Sequence, residues 1–313
     1  MSAQTLPATP ETITQAVDIL QSGGLVAIPT ETVYGLACDA SNAEAVARLY
    51  AAKGRPSFNP LIAHVSSPDM AKAEAEFTPT ASAVAHAFWP GALTLVLPVH
   101  SGGTVCDLAR AGLDTIAIRH PAHPIAQALI SAFGKPLVAP SANRSGHISP
   151  TRAAHVAADL SGAIDLIIDG GPCEKGVEST IISFIGEAPE LLRPGAIATR
   201  DLANFLEGKL VKSDGHASPN APGQLKSHYA PNAVLRLNAN SPQNGEVYLG
   251  FGPGTDGLNL SPRGDLIEAA SKLFTMLRAL DARYDRIAVA PIPQDGLGEA
   301  INDRLARAAH REG

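Results

Sequence analysis

Short apolar runs, each four to seven residues long, alternate along this chain with stretches of helical spacing. LVAIP, LIAHV, LTLVLP, TIAIR, LVAP, DLIIDG and TIISFIG are too short for helices and are bounded by turn-forming or polar residues. Each reads as a buried strand. Between some of them lie amphipathic segments. Thr9 followed by Pro10 opens one, a capping hydroxyl ahead of a first-turn proline, and Ile13, Ala16, Val17 and Leu20 keep helical spacing until Gly23-Gly24. Ser41 with Glu44 reads as a capping box for a second helix, which ends near Lys53-Gly54. TASAVAHAF, PIAQALISAF and TRAAHVAADL read as further helices. A chain with this rhythm folds as α/β, a layered sheet with helices, although strand order is not legible from it.

A length of 313 residues suggests about two domains. The texture changes after Arg200-Asp201-Leu202. From Gly208 to Pro231 there is little apolar periodicity and much Pro, Gly, Ser and Asn, which reads as a linker. A second α/β unit follows: VLRLN, EVYLGF, a helix from Asp265 to Leu280, RIAVAPI and the closing helix GEAINDRLARAAHR. The net charge of −6 argues against a nucleic-acid binder that uses its whole surface. Three widely spaced cysteines without a Cys-x-x-Cys pair fit a reducing compartment, with no disulfide frame or structural zinc site. No basic residue precedes Arg48, and no apolar run approaches the ~20 residues of a membrane helix. A cytoplasmic location, without membrane association, is the expectation.

Single motifs are weak. GPGTDG satisfies the dinucleotide pattern, but LNLSP follows where a helix should begin, so it reads as a turn. His120 and His123 flank Pro121 and read as turn residues, not a metal pair. Taken alone, Lys53-Gly54-Arg55 is a solvated helix end and Ser141-Ala142-Asn143 a turn. As an ordered set, IPTETVYGL, KGRPSFNPLIAH, LTLVLP, IRHP, APSANRSGHISPT, GVESTI and LLRPGAI all fall at or beside strand ends, where open α/β sheets bind ligands. Lys53, Arg55, Arg119 and Arg193 can neutralise a polyphosphate. Thr32, Ser141, Asn143, Ser149, Ser179 and Thr180 offer neutral hydrogen bonds for a small polar substrate.

This series resembles the threonylcarbamoyl-AMP synthase family, whose N-terminal unit is the YrdC-like domain, over about residues 10 to 200. PGQLKSHYAP and GLGEAINDRLARAA resemble the family's long, two-domain form, so the likeness spans nearly the whole chain. It implies a YrdC-like twisted open sheet with helices at 1–207, an interdomain linker or lid at 208–233 and a smaller C-terminal Rossmann-like α/β domain at 234–313. It implies that L-threonine, bicarbonate or CO2 and ATP give threonylcarbamoyl-AMP and pyrophosphate. The product then serves other enzymes that modify the adenosine beside the anticodon of certain tRNAs; contact with tRNA itself stays open.

The resemblance also implies roles. Lys53, Arg55, Ser141 and Asn143 form the catalytic set. Thr32, His64, Arg119, the backbone at Ala139 and Ser179 bind L-threonine. Arg55, Asn59, Thr115, Ser141, Ser149 and Arg193 line the ATP side, and Tyr229, with His228, closes over the nucleotide. Mg2+ accompanies ATP, with no metal site of the protein's own. A carbamoyl-adenylate enzyme of the hydrogenase-maturation kind has a similar domain but is much longer and carries paired-cysteine zinc elements, absent here. A non-catalytic RNA-binding module and an NAD-binding protein are the other readings weighed; the net charge opposes the first, and the missing helix after GPGTDG the second.

Overall fold

The computed structural model describes residues 2–213, 229–254 and 257–310. Among these, eleven strands form one mixed sheet. Its spatial order is Gln4–Pro7, Leu166–Asp169, Val26–Ile28, Gly35–Asp39, Leu137–Val138, Ile62–His64, Thr115–Arg119, Leu93–Pro98, Thr180–Ser183, Glu190–Arg193 and Val211–Lys212. The α/β architecture expected from the rhythm of the chain is therefore present.

The strands are short because most are buried on both faces, and alternation then decides which layer each side chain joins. Val26 and Ile28 pack with Ala16, Leu20, Leu129, Ile130 and Leu166 under the helices Pro10–Gln21 and Pro124–Phe133. Leu25, Ala27, Leu36 and Cys38 face the other way, into a larger core with Leu49, Val65, Leu93 and Leu95. A small apolar group stands apart from both: Ile62, Val96, Ala117, Ile181 and Leu192.

Thr9 caps the first helix as its sequence suggests, accepting from the Thr12 N–H, with Pro10 in the first turn. The second helix, Ala43–Lys53, departs from the expected capping box. Asn42 is its cap, accepting from the N–H groups of Glu44 and Ala45. Ser41 instead donates its hydroxyl to Asp39, which turns the chain out of the preceding strand. Gly54 ends this helix at φ 59°, a left-handed conformation that favours glycine. Gly35–Asp39, Gln4–Pro7 and the helices Pro68–Glu74 and Thr199–Phe205 are elements that the apolar patterning did not reveal.

The second unit holds a parallel sheet ordered Val234–Arg236, Arg286–Val289, Val247–Leu249, flanked by the helices Leu266–Asp281 and Gly298–Ala309. In GPGTDG, Gly252, Gly254 and Gly257 all have positive φ, and the next helix starts only at Leu266. The turn reading holds. Val33, Ile148 and Val177 of the first unit share a core with Tyr229, Leu273, Phe274 and Ile301. Gly176 marks a close approach: a Cβ there would lie 2.3 Å from the Ala270 carbonyl oxygen. Of the linker expected at 208–233, Val211–Lys212 pairs as an edge strand beside Glu190–Arg193; residues 214–228, His228 among them, lie outside the described residues.

Candidate active site

A cleft opens where strand ends and loops of the large sheet meet the start of the second unit. Thr32, Arg55, His64, Arg119, Ala139, Ser141, Ser179, Arg193 and Tyr229 line it, together with Val33, Ile62, Pro140 and Glu178. Nine residues singled out in the sequence thus converge on one cavity from positions 32 to 229.

The threonine-rich loop between Val26–Ile28 and Gly35–Asp39 is self-bracing. Thr30 Oγ1 donates to the Val33 carbonyl (2.6 Å) and shares a hydrogen bond with Thr32 Oγ1 (2.8 Å). Such a hydroxyl-centred turn presents Thr32 with a fixed rotor. Arg119 Nη1 donates to Thr32 Oγ1 at 3.0 Å and Nη2 to Glu31 Oε1 at 2.6 Å. Burial opposes the Glu31 charge, but the Arg119 guanidinium outweighs it and holds the carboxyl below its usual range. His64 is the register partner of Arg119 on the adjacent parallel strand. Its Nδ1 lies 3.0 Å from the Ile62 carbonyl. A carbonyl only accepts, so Nδ1 carries the proton and Nε2 is left as an acceptor.

Burial, and then the Arg119 charge, push the His64 imidazole down to about 3. An unfolded histidine titrates near ~6.5, so the native state excludes a proton that the unfolded chain takes up. The stability this represents is fully present above about pH 6.5 and is lost as the pH falls toward 3, with a loss of about 2 kcal/mol between pH 7 and 5 from His64 alone. Urea unfolding of the parent and of His64→Gln at both pH values checks this: the variant lacks that part of the pH slope.

Beyond the neighbouring strand, where Thr94 is the register partner of Arg119, Ser179 sits just before Thr180–Ser183, with its hydroxyl 2.8 Å from Thr94 Oγ1. Arg193 Nη2 donates to the Ser179 carbonyl (2.9 Å) and hydroxyl (3.2 Å). The turn after Arg193 must press on this backbone, since a Cβ on Gly195 would fall 2.4 Å from the Ser179 carbonyl carbon. Arg55 donates Nε to the Asn59 carbonyl (3.3 Å) and Nη2 to that of Pro60 (3.0 Å). Burial lowers Arg55 to about 10 and also lowers Arg193.

Lys53, Asn59, Asn143, Ser149 and Thr115 do not line this cavity. Lys53 is buried behind it, donating to the carbonyls of Ser141 (2.5 Å) and Asn143 (2.6 Å). Asn143 Nδ2 donates to the Arg144 and His147 carbonyls, and its buried Oδ1 has no partner among the described residues. Both amide atoms of the buried Asn59 lack partners in the same way. Unsatisfied buried polar atoms are uncommon, and here they cluster beside the cleft. Thr115 stands on the same strand face as Ala117 and Arg119, about 13 Å further along. It lines an adjoining hollow with Val96, Asp114, Ser183 and Leu192. Val96 and Leu192 also belong to the apolar group with Ile62, Ala117 and Ile181. The two hollows therefore share an apolar floor.

Three functional candidates escaped the sequence reading. Glu31 lies inside the quoted loop but passed as part of a polar turn. Glu178 lines the cleft and is fixed by Ser149 Oγ (2.5 Å) and by Arg304 Nε (2.6 Å), which arrives from the last helix. Burial raises the Glu178 carboxyl, but Arg304 and Arg193 outweigh it and bring it to about 2. Arg304 also places its guanidinium 5.2 Å from the Tyr229 ring centroid, and that ring stacks on Phe274 at 5.5 Å. Among the described residues, no three His, Cys, Asp or Glu side chains are grouped to hold a metal ion.

Two family profiles match the chain. One, described as "Telomere recombination", covers residues 18–195, and one described as "Threonylcarbamoyl-AMP synthase, C-terminal domain" covers 197–310. Threonylcarbamoyl-AMP synthase from Bacillus subtilis is 41% identical, covering 95% of this chain and 92% of its own. A crystal structure of Pyrococcus abyssi Sua5 complexed with L-threonine superposes with a TM-score of 0.88 at 35% identity, covering 98% of this chain and 97% of that one. Escherichia coli YciO, at 25% identity and a TM-score of 0.54, covers 62% of this chain but 96% of itself.

Proposed function

Because this chain belongs to the threonylcarbamoyl-AMP synthase family, we propose that it joins L-threonine, bicarbonate or CO2 and ATP into L-threonylcarbamoyl-AMP, releasing pyrophosphate. The observation that carries the reading is that one cleft holds two kinds of side chain. Arg119 offers a guanidinium fork, with Thr32, His64 and Ser179 as neutral hydrogen-bonding groups. Arg55 and Arg193 add further cations and Ser141 a hydroxyl, over an apolar floor that runs to Thr115. An amino acid and a nucleoside triphosphate need these two sets.

The amine of L-threonine attacks CO2, forming the N–C bond of a carbamate as the amine loses its proton. A carbamate oxygen then attacks the α-phosphorus of ATP, a new O–P bond forms, and the bond to the β-phosphate oxygen breaks. Pyrophosphate leaves. No protein nucleophile is required, so catalysis rests on positioning and on charge placed where phosphate charge develops. Arg119 pairs with the threonine carboxylate. Thr32, Ser179, the Ala139 backbone and the His64 Nε2 acceptor orient the amino and hydroxyl groups. Arg55, Ser141 and Arg193 face the phosphates. Asn59 offers a phosphate oxygen its unpartnered Nδ2–H, and Asn143 offers its unpartnered Oδ1 to a hydroxyl or amino donor of the nucleoside. Thr115 marks the nucleoside end.

Ser149 acts through Glu178, and Lys53 through the loop it supports. Tyr229 forms the lid wall that excludes water from a labile mixed anhydride. Mg2+ would accompany the ATP phosphates and supply further charge neutralisation there; Glu178, whose two oxygens already accept from Ser149 and Arg304, is the acidic side chain that lines the cleft.

The units 1–207, 208–233 and 234–313 serve in this reading as catalytic domain, lid-bearing linker and anchoring domain. The reading also includes a cytoplasmic setting and hand-over of the product to a tRNA-modifying transferase. No helix among the described residues is long and apolar enough to cross a membrane. The test is pyrophosphate release from ATP with Mg2+ and bicarbonate. Release that requires L-threonine, and is weak with L-serine, supports the reading; no release under these conditions overturns it.

A further inference from the structure

We infer that Glu31 is a positioning residue for the amino-acid site: it aims the Arg119 guanidinium so that the two N–H groups left over face the substrate carboxylate. This rests on the functional reading above. A guanidinium carries five N–H donors. Arg119 commits three of them: Nε to the Gly91 carbonyl (3.3 Å), Nη1 to Thr32 Oγ1 (3.0 Å) and Nη2 to Glu31 Oε1 (2.6 Å). One donor remains on each terminal nitrogen. A carboxylate can accept from both terminal nitrogens at once.

Arg119 is the main partner of the Glu31 carboxylate, ahead of smaller contributions from the backbone N–H groups of Glu31 and Ala122. Oε1 meets Arg119, while Oε2 is buried without a partner among the described residues. A glutamate kept only to tie loops together would use both oxygens, as Glu178 and Glu74 do here. The pair is also closed to solvent, with side chains 7% and 5% exposed. The charge of Glu31 therefore acts on Arg119 with little screening. It is absent from the cavity wall, so it acts through Arg119 and Thr32 and not on substrate. Holding the fork by a buried charge beside it restrains the arginine from swinging when the site is empty. The fork is thus set for a carboxylate before one arrives.

The experiment compares the parent protein with Glu31→Gln, which keeps the shape and loses the charge. Calorimetry gives dissociation constants for L-threonine, for L-threoninamide, which lacks the carboxylate, and for ATP. In the parent, L-threonine binds far better than the amide. In Glu31→Gln its preference over the amide drops roughly tenfold or more, with ATP affinity and amide affinity within about twofold of the parent. Equal weakening of all three ligands, or an unchanged preference, overturns the inference. Should Glu31→Gln fail to fold, Glu31→Asp draws the charge back by one methylene; an unchanged preference there overturns it as well. A parent protein that does not distinguish L-threonine from its amide would instead sink the functional reading, and this inference with it.

Discussion

Arg119→Ala loses threonine-dependent pyrophosphate release, with kcat/KM for L-threonine falling roughly 10²–10⁴-fold. The size follows from two hydrogen bonds to a charged group at ~1.5–3 kcal/mol each. Arg119→Lys does not restore it, because an ammonium cannot span both carboxylate oxygens while still holding Thr32 and Glu31. Arg119→Ala also destabilises the fold. Glu31 stays buried without its counter-ion, a situation that costs about 3–5 kcal/mol. With Arg119 gone, burial dominates and lifts the Glu31 carboxyl above its unfolded value. The Glu31 contribution to the variant's stability is then greatest below about pH 4, where the carboxyl is protonated in both states, and falls as the pH rises, opposite in sign to the His64 contribution. Adding Glu31→Gln to Arg119→Ala removes the stranded charge. The double variant recovers much of the melting temperature and none of the activity. Recovery of both would place the threonine carboxylate elsewhere.

The contrast between Arg119 and Glu31 shows which parts of this molecule could be read in advance. Thr9-Pro10, Gly54 and the apolar runs act locally, through caps, φ values and face alternation, so their outcome is written within a few residues. Gly35–Asp39 was missed because its Gly-Leu-Ala-Cys-Asp sequence has neither β-branched residues nor alternation. It becomes a strand because its neighbours supply both ladders and bury both faces. Asn42 displaced Ser41 as a cap because Asp39 captured the serine hydroxyl, a competition that spacing cannot reveal.

The cleft residues stood out as an ordered set of motifs, and nine of them do share one cavity. Their supports did not stand out. Glu31 finds its counter-ion 88 residues away and Glu178 finds Arg304 126 residues away. An acidic residue in a turn looks the same in sequence whether its partner is solvent or a guanidinium from another element. Arg304 in the last helix also looks like one more charge on an amphipathic face, although it is 1% exposed and reaches the wall of the cleft.

Lys53→Met loses ATP use and folding stability together. Lys53 is the last residue of the helix Ala43–Lys53, and it grips the loop after Leu137–Val138 twice. Its Nζ donates to the carbonyls of Ser141 and Asn143, and its own carbonyl accepts the Ser145 N–H at 2.8 Å. Burial, and then the nearby Arg55 charge, hold the amine well below its ordinary range. A neutral amine still has two N–H groups, so the bracket survives loss of the proton.

Methionine keeps the apolar stem but leaves the buried Asn143 carbonyl unpaired, at about 1–3 kcal/mol, and leaves the Ser141 carbonyl only the Asn143 N–H. The loop that presents Ser141 then loses its fixed position, and KM for ATP rises roughly 10²-fold or more, on the scale expected for an ångström-sized displacement. L-threonine binding changes far less, since Thr32, His64 and Arg119 sit on other elements. Denaturant unfolding beside calorimetry with each ligand checks all three statements. Loss of ATP use with an unchanged unfolding midpoint would put the lysine charge to work on the phosphates directly. A lower midpoint with the loss confined to ATP means that Lys53 serves the nucleotide by holding up the backbone of Ser141.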